Sequence, residues 1–226
     1  MNDNNYKFNV SKSDFKGVSK FNIDCRYIKP PAPKNIPEKR MKYDLAIDLA
    51  KNILPEKDCR YYAILSGKFI AGDFIEAFIT EHNLHVKKLT ISTLSLSENN
   101  VDSFNNLFVG EYVDSLDLII SDFFFSHERH NMIPYIYKVL DIENKFQLAV
   151  AGTHCKLCLI ETHDGLFFTM HGSANLRSSA SIEHFMIEEG YDMYSFNLEV
   201  QEKIIETYKT INKAVRNEKL WNAINK

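Results

Sequence analysis

The run from Leu116 to Phe125 constrains the fold more than any other stretch, because seven of its ten residues are apolar and they do not alternate with polar ones. A strand with one wet face alternates. One without alternation must be covered on both faces. The run therefore reads as a central strand of a sheet with helices packed on each side.

The neighbouring sequence agrees. Tyr61–Leu65, Val86–Leu94 and Phe146–Ala151 read as further strands, and Asp73–Glu81, Glu98–Phe108 (entered through Ser97) and Asn131–Leu140 as helices between them. Lys39–Ile53 and Leu198–Trp221 add amphipathic patterns, the first with Met41, Leu45, Leu49 and Ile53 in line, the second with Ile204, Tyr208, Ile211 and Val215. Such alternation predicts an α/β fold: a mixed, largely buried β-sheet flanked by helices on both faces. Residues 1–40 lack periodicity and hold Pro30, Pro31, Pro33 and Pro37, so an irregular N-terminal arm is expected before a single domain over 41–226.

Composition excludes several classes. No apolar run approaches the ~20 residues of a membrane helix. The N-terminus lacks a basic-then-apolar leader, so the expectation is a cytoplasmic protein with no membrane partner. Four cysteines in 226 residues do not suggest a disulfide scaffold. A net charge of −3 argues against a strongly basic binder, yet residues 1–60 hold 13 Lys+Arg against 8 Asp+Glu, which leans that segment toward a phosphate backbone.

The chemistry-bearing residues gather in 154–175. Lys156–Ile160 and Leu166–Met170 are strand-like runs separated by Thr162-His163-Asp164-Gly165, and Asp-Gly between such runs predicts a hairpin. In an extended strand His154 and Lys156 project to one side, and the hairpin returns Ser173 and Asn175 beside them. An imidazole, an ammonium, a hydroxyl and an amide at one sheet end suit a phosphate group.

At these residues the chain resembles the phospholipase D superfamily, whose signature is His-x-Lys, four residues, Asp, then Gly-Ser-x-Asn. Here His154-x-Lys156 is followed, four residues on, by Glu161 in place of Asp, and Gly172-Ser173-Ala174-Asn175 comes after a lengthened gap. Glu183 stands where the family carries a downstream Glu. The resemblance implies that His154 attacks phosphorus to form a phosphohistidine and that a second histidine protonates the leaving oxygen. It also implies that Lys156, Ser173 and Asn175 hold the phosphoryl oxygens without a metal or other cofactor, and that Glu183 hydrogen-bonds His154. Glu161 is expected to be a structural partner rather than a proton carrier.

Only one complete motif is present. His85-Val86-Lys87 imitates its start, but Ser92 occupies the acidic position and no Gly-Ser-x-Asn follows. One motif implies that two chains meet about a twofold axis, each supplying one His154 to a shared site. His171 shares parity with Ser173 and Asn175, and Arg177 follows the motif; both are possible substrate contacts. So are His127, Arg129 and His130 in the segment after the most apolar strand. Cys155 and Cys158 have opposite strand parity, which argues against zinc or redox use, and Gly67-Lys68 lacks the spacing of a nucleotide loop. The function expected is a metal-independent phosphodiesterase, a nuclease working as a homodimer on nucleic acid. A non-catalytic nucleic-acid or phosphate-binding protein on the same fold is the alternative.

Overall fold

The computed structural model describes residues 46–65, 69–177 and 181–210. The expected arm over 1–40, the Gly67-Lys68 pair and the far end of the last amphipathic pattern, with Ile211, Val215 and Trp221, lie outside the described residues.

Seven strands form one mixed sheet: β1 (Arg60–Leu65), β2 (Val86–Thr93), β3 (Leu116–Ser121), β4 (Phe146–Ala151), β5 (Leu157–Thr162), β6 (Phe167–Gly172) and β7 (Glu183–Glu189), in the spatial order β1-β7-β6-β5-β2-β3-β4. β2, β3 and β4 run parallel, and the remaining neighbours pair antiparallel. β3 is buried over all six residues, as its apolar run requires, although it lies beside the edge strand β4 and not at the centre of the sheet as expected, because helices cover both faces even there.

The pleat sends alternate residues to two different cores. One face carries Leu89, Ile91, Leu118, Ile120, Cys158, Ile160, Phe168, Met170, Phe185 and Ile187. It is covered by α1 (Ala46–Asn52), α2 (Ala71–Glu81), α3 (Glu98–Val109) and α5 (Met132–Leu140). Phe74 of α2 stands edge-on to Phe185 at 5.1 Å between ring centres, and Phe78 meets Phe168 the same way at 5.3 Å. The other face meets α6 (Tyr191–Tyr208), where Ile204 packs on Ile119 and Ala149, and Tyr194 on Leu157 and Leu159. This second face is more polar. It buries Thr90, Ser92, Asp117, Gln147, Thr169 and Glu188.

Four further expectations change. The strand expected over Leu116–Phe125 ends at Ser121, and Asp122–Glu128 is a short helix, α4. The Ser121 hydroxyl accepts the Phe124 amide at 3.0 Å, a cap that halts the strand and starts the helix. β5 begins at Leu157, one residue later than the run suggests, and β7 has no counterpart among the strands read from the sequence. The last helix starts at Tyr191 rather than Leu198. Among the described residues no helix is long and apolar enough to cross a membrane.

Candidate active site

The β5–β6 hairpin forms where the Asp-Gly pair predicts it. Gly165 takes φ +83°, a left-handed conformation that favours glycine, and the Thr162 amide bonds the Leu166 carbonyl at 3.0 Å. Its register sets Leu157 opposite His171, which brings Lys156 level with Gly172. Because β5 and β7 begin, and β1, β2, β3, β4 and β6 end, at this same end of the sheet, it collects His154, Lys156, Ser173 and Glu183.

His154 and Lys156 do not lie in the strand. The Thr153 amide turns back to the Ala151 carbonyl at 2.8 Å, and the Thr153 hydroxyl accepts the Cys155 amide at 3.1 Å. These local bonds take the donors that a longer β5 would use. His154 is exposed, and the Lys156 ammonium donates to its carbonyl oxygen at 3.0 Å. The two side chains are therefore linked through backbone, not presented by strand alternation.

Gly172 is fixed by crowding. A Cβ there would overlap the His184 carbonyl oxygen and press on Phe185 Cα, so glycine lets β7 close onto β6. Ser173 continues this contact: its amide donates to the His184 carbonyl at 3.1 Å and its hydroxyl oxygen accepts the His184 amide at 3.1 Å. The Ser173 hydroxyl donates to Glu183. The expected partner of Glu183, His154, is thus replaced by Ser173, because Glu183 starts β7 directly across from the end of β6. Asn175 is partly buried, and its side-chain oxygen has no hydrogen-bond partner. The loop that carries it is held to the start of α2 by the Gly72 amide, which donates to the Leu176 carbonyl at 3.0 Å.

A small cleft of about 30 Å³ opens beside these residues, lined by Lys156, His171, Gly172, Ser92, Thr93 and Ala174, among others. His171 is half-buried, and its Nε2 is fully enclosed without a partner. Burial pushes its pKa below the ordinary histidine value. Glu188 opposes that shift, and His184 and Arg60 add to it.

Other sequence candidates fall elsewhere. Glu161 sits toward the opposite end of β5, where Oε1 accepts Lys87 at 2.7 Å and Oε2 accepts the Tyr194 hydroxyl at 3.4 Å. The lysine of the imitation motif is thus the partner of the motif's own acidic residue. Burial and Glu161 hold the Tyr194 phenol protonated. Arg177 is exposed on the loop after Asn175. His127 lies on α4, and Arg129 and His130 follow it, all three exposed. Sequence reading missed Phe123, whose ring is 61% exposed on α4. It also missed the largely buried pair Arg60–Glu188, at 2.5 Å. Cys155 is exposed and Cys158 buried, and both are free thiols. Among the described residues no group of three or more His, Cys, Asp or Glu side chains is placed to hold a metal.

No protein-family model matches the chain, and no curated protein sequence does so. Solved structures do. The phospholipase D family member Nuc from Salmonella typhimurium superposes with a TM-score of 0.51 at 13% identity, covering 67% of this chain and 97% of that one. NucT from Helicobacter pylori gives 0.49 at 13% identity, over 67% and 98%. At such identity the likeness speaks for architecture, and it agrees with the sheet and flanking helices above: the chain has a phospholipase D-like fold.

Proposed function

We propose that this chain is a metal-independent phosphodiesterase, a nuclease whose active site is completed by a second copy of itself. The observation that carries the reading is the convergence of His154, Lys156, Ser173 and Glu183 at one end of the sheet. In the reaction, a His154 ring nitrogen attacks phosphorus. The P–O bond to the leaving group breaks, and the departing oxygen takes a proton from the partner's His154. Water then attacks the phosphohistidine, gives its proton to that second imidazole, and the P–N bond breaks. Lys156 and the Asn175 amide balance the charge on the phosphoryl oxygens. Ser173 joins them once phosphate displaces the Glu183 carboxylate, since both compete for one hydroxyl proton.

A surface for the second copy supports the dimer. Tyr62 and Ile64 are 63% and 69% exposed on one face of the outermost strand, and Ile182, 82% exposed, immediately precedes Glu183. Large apolar side chains left in water on strands that reach a half-built site suit a twofold contact.

Labelled single- and double-stranded DNA and RNA, incubated with the protein in EDTA, test the reading. Cleavage lost in His154→Ala and in Lys156→Ala is expected. Intact cleavage by either variant overturns the assignment. The engagement of Ser173 by Glu183 favours the alternative, a binder without turnover, which would give a band shift and no cleavage from the unaltered chain.

A further inference from the structure

We infer that α4 carries a stacking platform for a nucleobase, formed by Phe123 and His127 at the rim of the candidate active site. The inference rests on the nuclease reading and specifies how the substrate strand is held.

The platform is built within one helical turn. Phe123 and His127 are four residues apart, so they share a face of α4, and their rings meet at a tilt of 37° with 4.1 Å between centres. The His127 Nδ1–H donates to the Phe123 carbonyl at 2.7 Å, which fixes the imidazole against the phenyl. Both rings are exposed, although Phe124 between them is buried. A phenyl ring held rigidly in water, with a second ring fixed beside it, presents apolar surface that no described residue covers.

Its position connects it to the reaction. Ser121, which caps α4, pairs directly with Ala151, and the Asp122 carboxylate lies 3.6 Å from where a Gly152 Cβ would stand. Phe123 follows by one residue and His154 by two. Five residue steps away from paired strands keep the platform within roughly 23 Å of His154, a few nucleotides along a strand. Arg129 and His130, both exposed, continue from the end of α4 and supply donors for the adjoining phosphates.

The ligand chemistry follows from the surface. The exposed phenyl face of Phe123 accepts the π-face of any base and reads little of its edge. A base paired within a duplex has no free face, so the occupant is an unpaired base of a single strand, DNA or RNA alike. A second copy of the chain is the competing occupant, and the test separates the two.

Binding is measured in the His154→Ala background with a fluorescent single-stranded oligonucleotide, and with a series carrying one abasic site at each position in turn. Phe123→Ala should weaken binding about 10-fold, and Phe123→Trp should keep it. The penalty of Phe123→Ala should vanish for the oligonucleotide that lacks the stacked base. Solution mass should be the same with and without the substitution. Unchanged affinity in Phe123→Ala, or a penalty equal at every abasic position, overturns the platform. A mass that falls in Phe123→Ala assigns the rings to a protein contact and also overturns it. If the unaltered chain cleaves nucleic acid while Phe123→Ala cleaves it equally well, the platform fails and the nuclease reading stands. If the unaltered chain neither binds nor cuts, both fail.

Discussion

Single residues at the sheet end act through contacts a sequence only partly reveals. Gly172 is written in the motif, but the reason for it is the His184 carbonyl across the β6–β7 pairing. Gly172→Ala forces two backbones apart, and a loss of about 2 kcal/mol is expected from urea midpoints. Loss of the Ser173–His184 contacts should accompany it, seen as faster amide exchange at 173 and 184. His171 gives a different signature. Its imidazole is held below the ordinary value of 6.5, chiefly by burial. Above that pH the ring is neutral in both states and contributes nothing to the pH dependence. As the pH falls below about 6.5 the unfolded chain takes up a proton that the folded chain refuses, so stability drops until the folded value is passed. Urea midpoints of His171→Gln should therefore fall less steeply than those of the unaltered chain as the pH drops below about 6.5. An equal slope would show that the enclosure of His171 does not govern the acid response. The parity of His171 with Ser173 was legible in the sequence. Its enclosure was not, since that depends on Met186 and Leu157, brought opposite it from two other strands.

Elements show the same division between local and distant causes. The β5–β6 hairpin and the two-sided burial of β3 could be read because each is decided by its own residues: an Asp-Gly turn in one, a mostly apolar run in the other. α4 could not, because Phe123-Phe124-Phe125 has strand composition, and the cap from Ser121 redirects it. β7 escaped for another reason. Its partners β6 and β1 are distant or separated by a loop, and only this pairing explains why Glu188 is buried. There Arg60 of the outermost strand meets Glu188 at 2.5 Å, with side chains only 10% and 6% exposed. Removing one partner strands the other charge away from water, which costs about 3–5 kcal/mol. Arg60→Met should show a loss of that order in chemical denaturation. The double variant Arg60→Met, Glu188→Met should recover most of it, because an apolar pair of similar volume fits a buried site. A double variant as unstable as the single one would mean that the pair organises β1 in a way packing cannot replace.

At the scale of the whole molecule, the proposed dimer would make activity a property of pairs, and this can be separated from ordinary loss of function. In the proposed dimer, each reaction uses the His154 of both copies, so a dimer with one His154→Ala chain cannot complete the cycle. When unaltered and His154→Ala chains are mixed in equal amounts and allowed to exchange, about a quarter of dimers carry two intact chains. Activity per unaltered chain should fall to about half, whereas independent sites would leave it unchanged. The interface gives a second control. Ile182→Asp places charge on the exposed apolar side chain that immediately precedes Glu183, and Ile64→Asp does so on the neighbouring outermost strand, and burying an unpaired carboxylate opposes association. Each should lower the solution mass to that of one chain and abolish cleavage while leaving the thermal midpoint of the fold within a few degrees. Monomeric variants that still cut would assign both proton transfers to one chain. The second imidazole would then have to be found beside Lys156, where His171 lines the same cleft.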